Sequence, residues 1–152
     1  MPAVVLVDTS VFLNVLDVPA FNQHRQRILQ RFEEFVRNRA HLLLPMAAVF
    51  EAGNHIAQLN DGRVRRERAG HFAQMVRDAI DGNAPWRPIR SPTLEEIRAW
   101  LNGFPNYAMR GIGMGDVSII QEWESARARH PHLRVLIWSL DDELAAYDYQ
   151  PG

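Results

Sequence analysis

VVLVDTSVFLN, residues 4–14, is the stretch that decides the fold. Its apolar start, with Ala3 included, reads as a buried strand over 3–7, and Asp8 closes it with no Lys or Arg nearby in sequence. Three more acids stand in similar settings: Glu51 in LLLPMAAVFEAGNHI (42–56), Asp116 in GIGMGDVSII (111–120) and Asp141 in RVLIWSLDDEL (134–144). A carboxylate placed where a buried element ends is costly unless something compensates it. Four such acids along one chain suggest a shared compensator, and a divalent metal ion is the simplest.

Elements alternate outward from this stretch. Thr9 or Ser10 is expected to cap a short helix ending near Leu16, which Pro19 breaks. A long Arg-rich helix follows over 21–39, with Ile28, Leu29, Phe32 and Phe35 as its apolar positions. His41–Leu44 reads as a second strand, and Pro45 suits the start of a helix to about Leu59. Asp61-Gly62 and Asp81-Gly82 are turn signals around a helix at 63–80, and WRPI at 86–89 is a candidate edge strand. Thr93-Leu94-Glu95-Glu96 matches a capping box that starts a helix through Leu101. A Gly/Pro/Asn loop is expected over 102–115, then a helix from Asp116 to about Arg129. A buried strand at 133–138 precedes a last short helix at 142–147, which Ser139 can cap. Apolar strands alternating with helices imply a three-layer α/β/α fold, with a central parallel sheet of four to five strands and helices on both faces.

Composition narrows the function. A chain of 152 residues with 47% hydrophobic and 23% charged content fits one compact domain, here 1–152, with a real core. No apolar run approaches a membrane span, and the first ten residues lack a signal peptide's basic start and long apolar stretch, so the cytoplasm is the expected compartment. The absence of cysteine removes disulfide frameworks, thiolate zinc sites and cysteine nucleophiles together. All 17 basic residues are Arg. The missing lysine excludes any mechanism that needs one, and argues against a response-regulator receiver and a P-loop. Setting the four acids aside from a net charge of -1 leaves about +3 elsewhere, which favours a polyanionic partner weakly.

In open parallel sheets, ligands bind beyond the carboxyl ends of the strands. Asp8 follows the first strand and Asp141 the last strong one, while Glu51 and Asp116 lie on helices that can point to the same edge. Each acid alone has an ordinary structural explanation. Asp116 can favour its helix dipole, Asp142 can complete the Ser139 cap, and Glu51 can pair with His55 one turn on. The set of four is harder to explain that way. Between Asp141 and Asp142, the strand-end position and the S-x-D spacing favour Asp141.

The four motifs, VDTSVFLN, AVFEAGN, GDVSII and WSLDD, resemble the acidic motifs of PIN-domain nucleases, and within them most nearly VapC-type toxins of toxin–antitoxin pairs. The resemblance covers nearly the whole chain in the right order, as one PIN-like domain, with the first and last motifs the most specific. It implies an RNA substrate, a cognate antitoxin and a homodimer. Two departures stand out. The chain is longer than a minimal member, with the excess over 60–92, and Asp142 occupies a position where a basic residue is common.

The chemistry suits this reading. Phosphodiester hydrolysis needs a nucleophilic water, an oriented phosphate and a neutralised leaving oxygen, and one or two Mg²⁺ or Mn²⁺ ions on carboxylates supply all three. Mg²⁺ prefers hard oxygens and retains several waters, so a few acids suffice. Asp8 is expected as the central ligand, with Asp116 and Asp141 beside it and Glu51 completing the set directly or through water. Thr9, Ser10 and Ser139 are candidates to hold these carboxylates, and equally to be helix caps. A PIN-like binding module without catalysis, and a PIN nuclease without an antitoxin, stay open as alternatives.

Other signals are weaker. GIGMG at 111–115 lacks the last glycine of a dinucleotide loop and more simply frees the chain to present Asp116. Arg63, Arg65, Arg66 and Arg68 read as a solvated helix face sooner than as an RNA or antitoxin contact. Val11, Phe12, Leu13, Val15 and Leu16 make the first helix apolar almost all round, which fits a buried helix or a partner-binding face. Trp86, Trp100, Trp123 and Trp138 are most simply core or interface aromatics.

Overall fold

The computed structural model describes residues 2–152. Its chain order is β1 (Val4–Val7), α1 (Thr9–Val15), α2 (Arg25–Arg37), β2 (His41–Leu44), α3 (Met46–Ala57), α4 (Gly62–Ile80), β3 (Trp86–Pro88), α5 (Leu94–Met109), α6 (Met114–Arg129), β4 (Val135–Trp138), α7 (Asp142–Ala145) and β5 (Asp148–Tyr149). The strands lie in the order β3-β2-β1-β4-β5. β1 pairs in parallel with both β2 and β4, and β2 with β3. Among the described residues, no helix is long and apolar enough to cross a membrane.

Strand alternation divides the core. Val5 and Val7 of β1 and Leu136 and Trp138 of β4 face one cluster, while Val4, Leu6, Val135 and Ile137 face the other. Helices α1 to α4 cover the first face and α5 to α7 the second. Apolar side chains on both faces explain why β1 and β4 are unbroken hydrophobic runs. In the first cluster the fully buried Trp86 receives Phe12 and Phe32 edge-on, with ring centroids 5.2 and 5.3 Å away. This packing anchors the short edge strand β3, whose Pro88 could not sit in the sheet centre.

Three expectations need correction. The sheet is not wholly parallel, because Asp148–Tyr149 folds back antiparallel on β4 and is held by the bidentate ion pair of Arg134 with Asp148. The predicted loop over 102–115 is largely helix. Trp100, Phe104 and Tyr107 all pack on the second core cluster, and their helical spacing carries α5 through Gly103 and Pro105 to Met109. Pro105 is exposed, so the backbone carbonyl its ring deprives of a partner can turn to water. Third, Asp8 and not Thr9 or Ser10 is the N-terminal flanking residue of α1, and no side chain caps it. Of the two readings of the first helix, the buried one holds: Val11, Phe12, Leu13, Val15 and Leu16 are all buried inside the domain.

Candidate active site

The chain runs from β1 to β2 and β3 on one side, then returns to β4 on the other. The carboxyl ends of β1 and β4 therefore flank a reversal of strand order, where open α/β sheets have their binding crevice. The backbone N–H of Asp8 donates to the Trp138 carbonyl at 3.0 Å, which joins the two strand ends. Asp8 is 5% exposed. Only a dense set of polar contacts makes such burial tolerable.

Those contacts come from two hydroxyls. Ser139 donates to Asp8 Oδ2 at 2.6 Å and Ser10 at 3.0 Å. Each hydroxyl is itself oriented, because Leu140 N–H donates to Ser10 Oγ and Asp141 N–H to Ser139 Oγ, both at 3.0 Å. With an oxygen lone pair taken by a backbone donor, each hydroxyl proton is directed at the carboxylate. Among the described residues, no hydrogen bond reaches Oδ1. The second turn of α1 is fixed by the buried Asn14, which donates to the Ser10 carbonyl at 2.9 Å and accepts from His24 N–H at 3.1 Å.

Glu51 arrives from α3. Thr9, buried beside Asp8, donates to Glu51 Oε2 at 2.9 Å. Glu51 Oε1 lies against Gly115 in the first turn of α6, so closely that a Cβ there would overlap it. His55 does not pair with Glu51 and packs its ring on Phe21 at 4.6 Å. The glycine leaves room for the Glu51 carboxylate, which a side chain at 115 would have to displace, a role beside the loop freedom read from GIGMG.

Asp116 is half-buried on the same turn. Its carboxyl is pushed up to about 6, by burial first and then by the charges of Asp8, Glu51, Asp141 and Glu143. The other three acids read from the sequence, and a fifth, Glu143, thus all bear on Asp116. Asp141 is exposed and turns Oδ1 back to accept from Glu143 N–H at 2.9 Å, capping α7. Arg110, at the end of α5, pairs with Glu143 at 3.0 Å.

The donor set suits Mg²⁺ or Mn²⁺ in kind, being entirely hard oxygen. The ligand shell is not closed: among the described residues, no three His, Asp or Glu side chains converge tightly enough to hold a metal ion. Coulombic coupling extends over several ångströms, whereas coordination needs oxygens about 2.0–2.6 Å from one point. Thr9 and the α7 cap hold Glu51 and Asp141 in their present poses, so a bound cation would require these side chains to turn.

No protein-family model and no curated protein matches the sequence. Its backbone is similar to that of FitAB, solved bound to an IR36 DNA fragment, with a TM-score of 0.57, 18% identity, and coverage of 94% of this chain and 89% of that one. The fold is PIN-like α/β. At that identity the likeness speaks for the fold, and the chemistry must be argued from the acids themselves.

Sequence reasoning did not single out Gly115, Asn14 or Glu143 for these roles. Gly115 carries a signal only once Glu51 is known to face it. Glu143, two residues after Asp141, was within reach of the S-x-D argument.

Proposed function

We propose that this chain is a Mg²⁺- or Mn²⁺-dependent endoribonuclease, acting in the cytoplasm as the homodimeric toxin of a pair with a cognate antitoxin. The observation that carries the reading is Asp8 held by Ser10 and Ser139 at the strand-order reversal, with Glu51 on the neighbouring Thr9, and with Asp116 raised by burial and by the charges of Asp8, Glu51 and Asp141. Asp8, Asp116, Asp141 and Glu51 would hold the ion, and when bound it supplies charge neutralisation at the phosphate and a water of lowered pKa. The chain's own contribution is orientation. Ser10 and Ser139 fix Asp8 with Oδ1 left open, Thr9 aims Glu51, and Gly115 leaves room for the Glu51 carboxylate beside α6. The likeness to FitAB, an assembly solved on DNA, supports a partnered protein over a free-standing nuclease.

The test is cleavage of single-stranded RNA with Mg²⁺ or Mn²⁺, abolished by EDTA and by Asp8→Asn at unchanged thermal stability. Full activity in that variant overturns the assignment. Toxicity on expression, relieved by co-expressing an adjacent small DNA-binding protein, tests the antitoxin. A PIN-like binding module without metal is the second reading, favoured by the unclosed ligand shell. Calorimetry with Mn²⁺ separates the two, because the module would show no binding.

A further inference from the structure

An apolar cleft of about 310 Å³ opens directly beside the acids. Phe50 and Glu51 on α3, Ile97 and Trp100 on α5, and Met114 and Ser118 on α6 form its walls. Phe50 is 64% exposed, although it neighbours a residue of the candidate site. Trp100 is half-buried across the cleft. The only ionisable side chain among the lining residues is Glu51, and the Ser118 hydroxyl already donates to the Gly115 carbonyl at 2.9 Å.

From this we infer that the cleft is a stacking subsite for one nucleobase of the substrate, beside the phosphate to be cut. The inference rests on the nuclease reading and adds to it where a base goes. Three observations select the occupant. Without a basic residue, the walls cannot hold a phosphate. The volume accepts a single planar ring system, whereas a partner helix needs a groove continuous over several turns. Glu51 and Gly115 belong to both the cleft and the acidic edge, so a strand laid across the acids brings its adjoining base to Phe50 and Trp100. Every base has a stackable face, and these walls offer few hydrogen-bonding groups. The subsite therefore demands the presence of a base more than its identity.

Binding of a labelled short oligoadenylate, in Ca²⁺ and scanned with a single abasic nucleotide, tests this by anisotropy. One abasic position is expected to weaken binding about tenfold, the lower end of what one stacked base contributes. Trp100→Ala should weaken the intact oligonucleotide to a similar degree and abolish the abasic penalty, while Trp100→Phe keeps it. Phe50→Ala, at an exposed position, gives the same readout should Trp100→Ala fail to fold. A flat abasic scan in the parent protein, or a penalty that survives Phe50→Ala and Trp100→Ala, overturns the subsite. So does a dimer that Phe50→Glu converts to monomer with no abasic effect, because a second copy then covers the cleft. Cleavage of the same oligonucleotides in Mn²⁺ separates the two claims. Cutting without abasic sensitivity sinks the subsite alone, an abasic penalty without cutting sinks the nuclease alone, and neither binding nor cutting sinks both.

Discussion

Asp8 and Glu122 are both acids folded into the same domain, and they meet burial in opposite ways. Asp8, at the switch between β1 and β4, has two hydroxyls aimed at one oxygen by backbone donors. Glu122, on α6 where α5 packs over it, has an Oε2 that is buried with no hydrogen-bond partner among the described residues. Its carboxyl is pushed up to about 7, by burial first and by the Glu96 charge second, against the opposing pull of Arg90. A strongly shifted acid is therefore not by itself the sign of a site. The distinguishing feature of the sheet edge is a pair of oriented hydroxyl donors committed to one buried carboxyl, with other acids nearby.

The largest effect should come from replacing that held carboxyl. Asp8→Asn keeps the shape and the two hydroxyl contacts and removes the anion, so cleavage should fall by a factor of about 10³ or more, roughly what loss of a key electrostatic group costs. Circular dichroism and the melting temperature should stay close to the parent. If Glu122→Gln lowered activity as much, the contrast between the two regions would collapse.

The supporting groups should follow at about 10- to 100-fold, typical of residues that orient metal ligands. Ser139→Ala removes the 2.6 Å contact to Asp8. Gly115→Ala drives a methyl into the space of Glu51 Oε1. Each should lower Mn²⁺ affinity measured by calorimetry, and Ser139→Thr should restore most of what Ser139→Ala loses. These two variants also separate what could be read from the sequence from what could not. Strand ends followed by acids were legible in the letters, because a buried strand and a stranded carboxylate are local patterns. The partners of those acids were not. Thr9 and Ser10 read as helix caps, and only tertiary contact shows that their hydroxyls serve Glu51 and Asp8. The helical run past Pro105 was missed for the opposite reason, since local composition suggested a loop while Trp100, Phe104 and Tyr107 obeyed the distant core.

On the Glu122 side the effect should be on stability. Its folded carboxyl titrates near 7 against an ordinary value of 4.5, so between these pH values the native state holds a proton that the unfolded chain has lost. Stability should then fall as pH rises through this window, with the penalty complete above about pH 7. Glu122→Gln removes the proton linkage, and at pH 8 it should stabilise the fold by on the order of 1–2 kcal/mol once partial solvent screening is allowed for. Urea denaturation at pH 5 and pH 8 reads this directly, and an unchanged pH slope in the variant would mean that another group carries it.

The smallest effect lies at the start of α5, the helix that walls both Glu122 and the apolar cleft. Thr93 accepts from Glu96 N–H at 3.1 Å while Glu96 accepts from Thr93 N–H at 3.0 Å, and Arg90 holds the same carboxylate at 2.7 Å. Thr93→Ala should cost about 1 kcal/mol, the ordinary worth of an N-cap. Its use lies in the comparison. Fraying the first turn of α5 loosens Glu96 beside Glu122 and leaves Ser10, Ser139 and Asp8 untouched, so the melting temperature should drop while Mn²⁺ affinity stays within a factor of about two. A matching loss of metal affinity would show that the α5–α6 side and the acidic edge are one coupled unit, and that the contrast between Asp8 and Glu122 is one of degree.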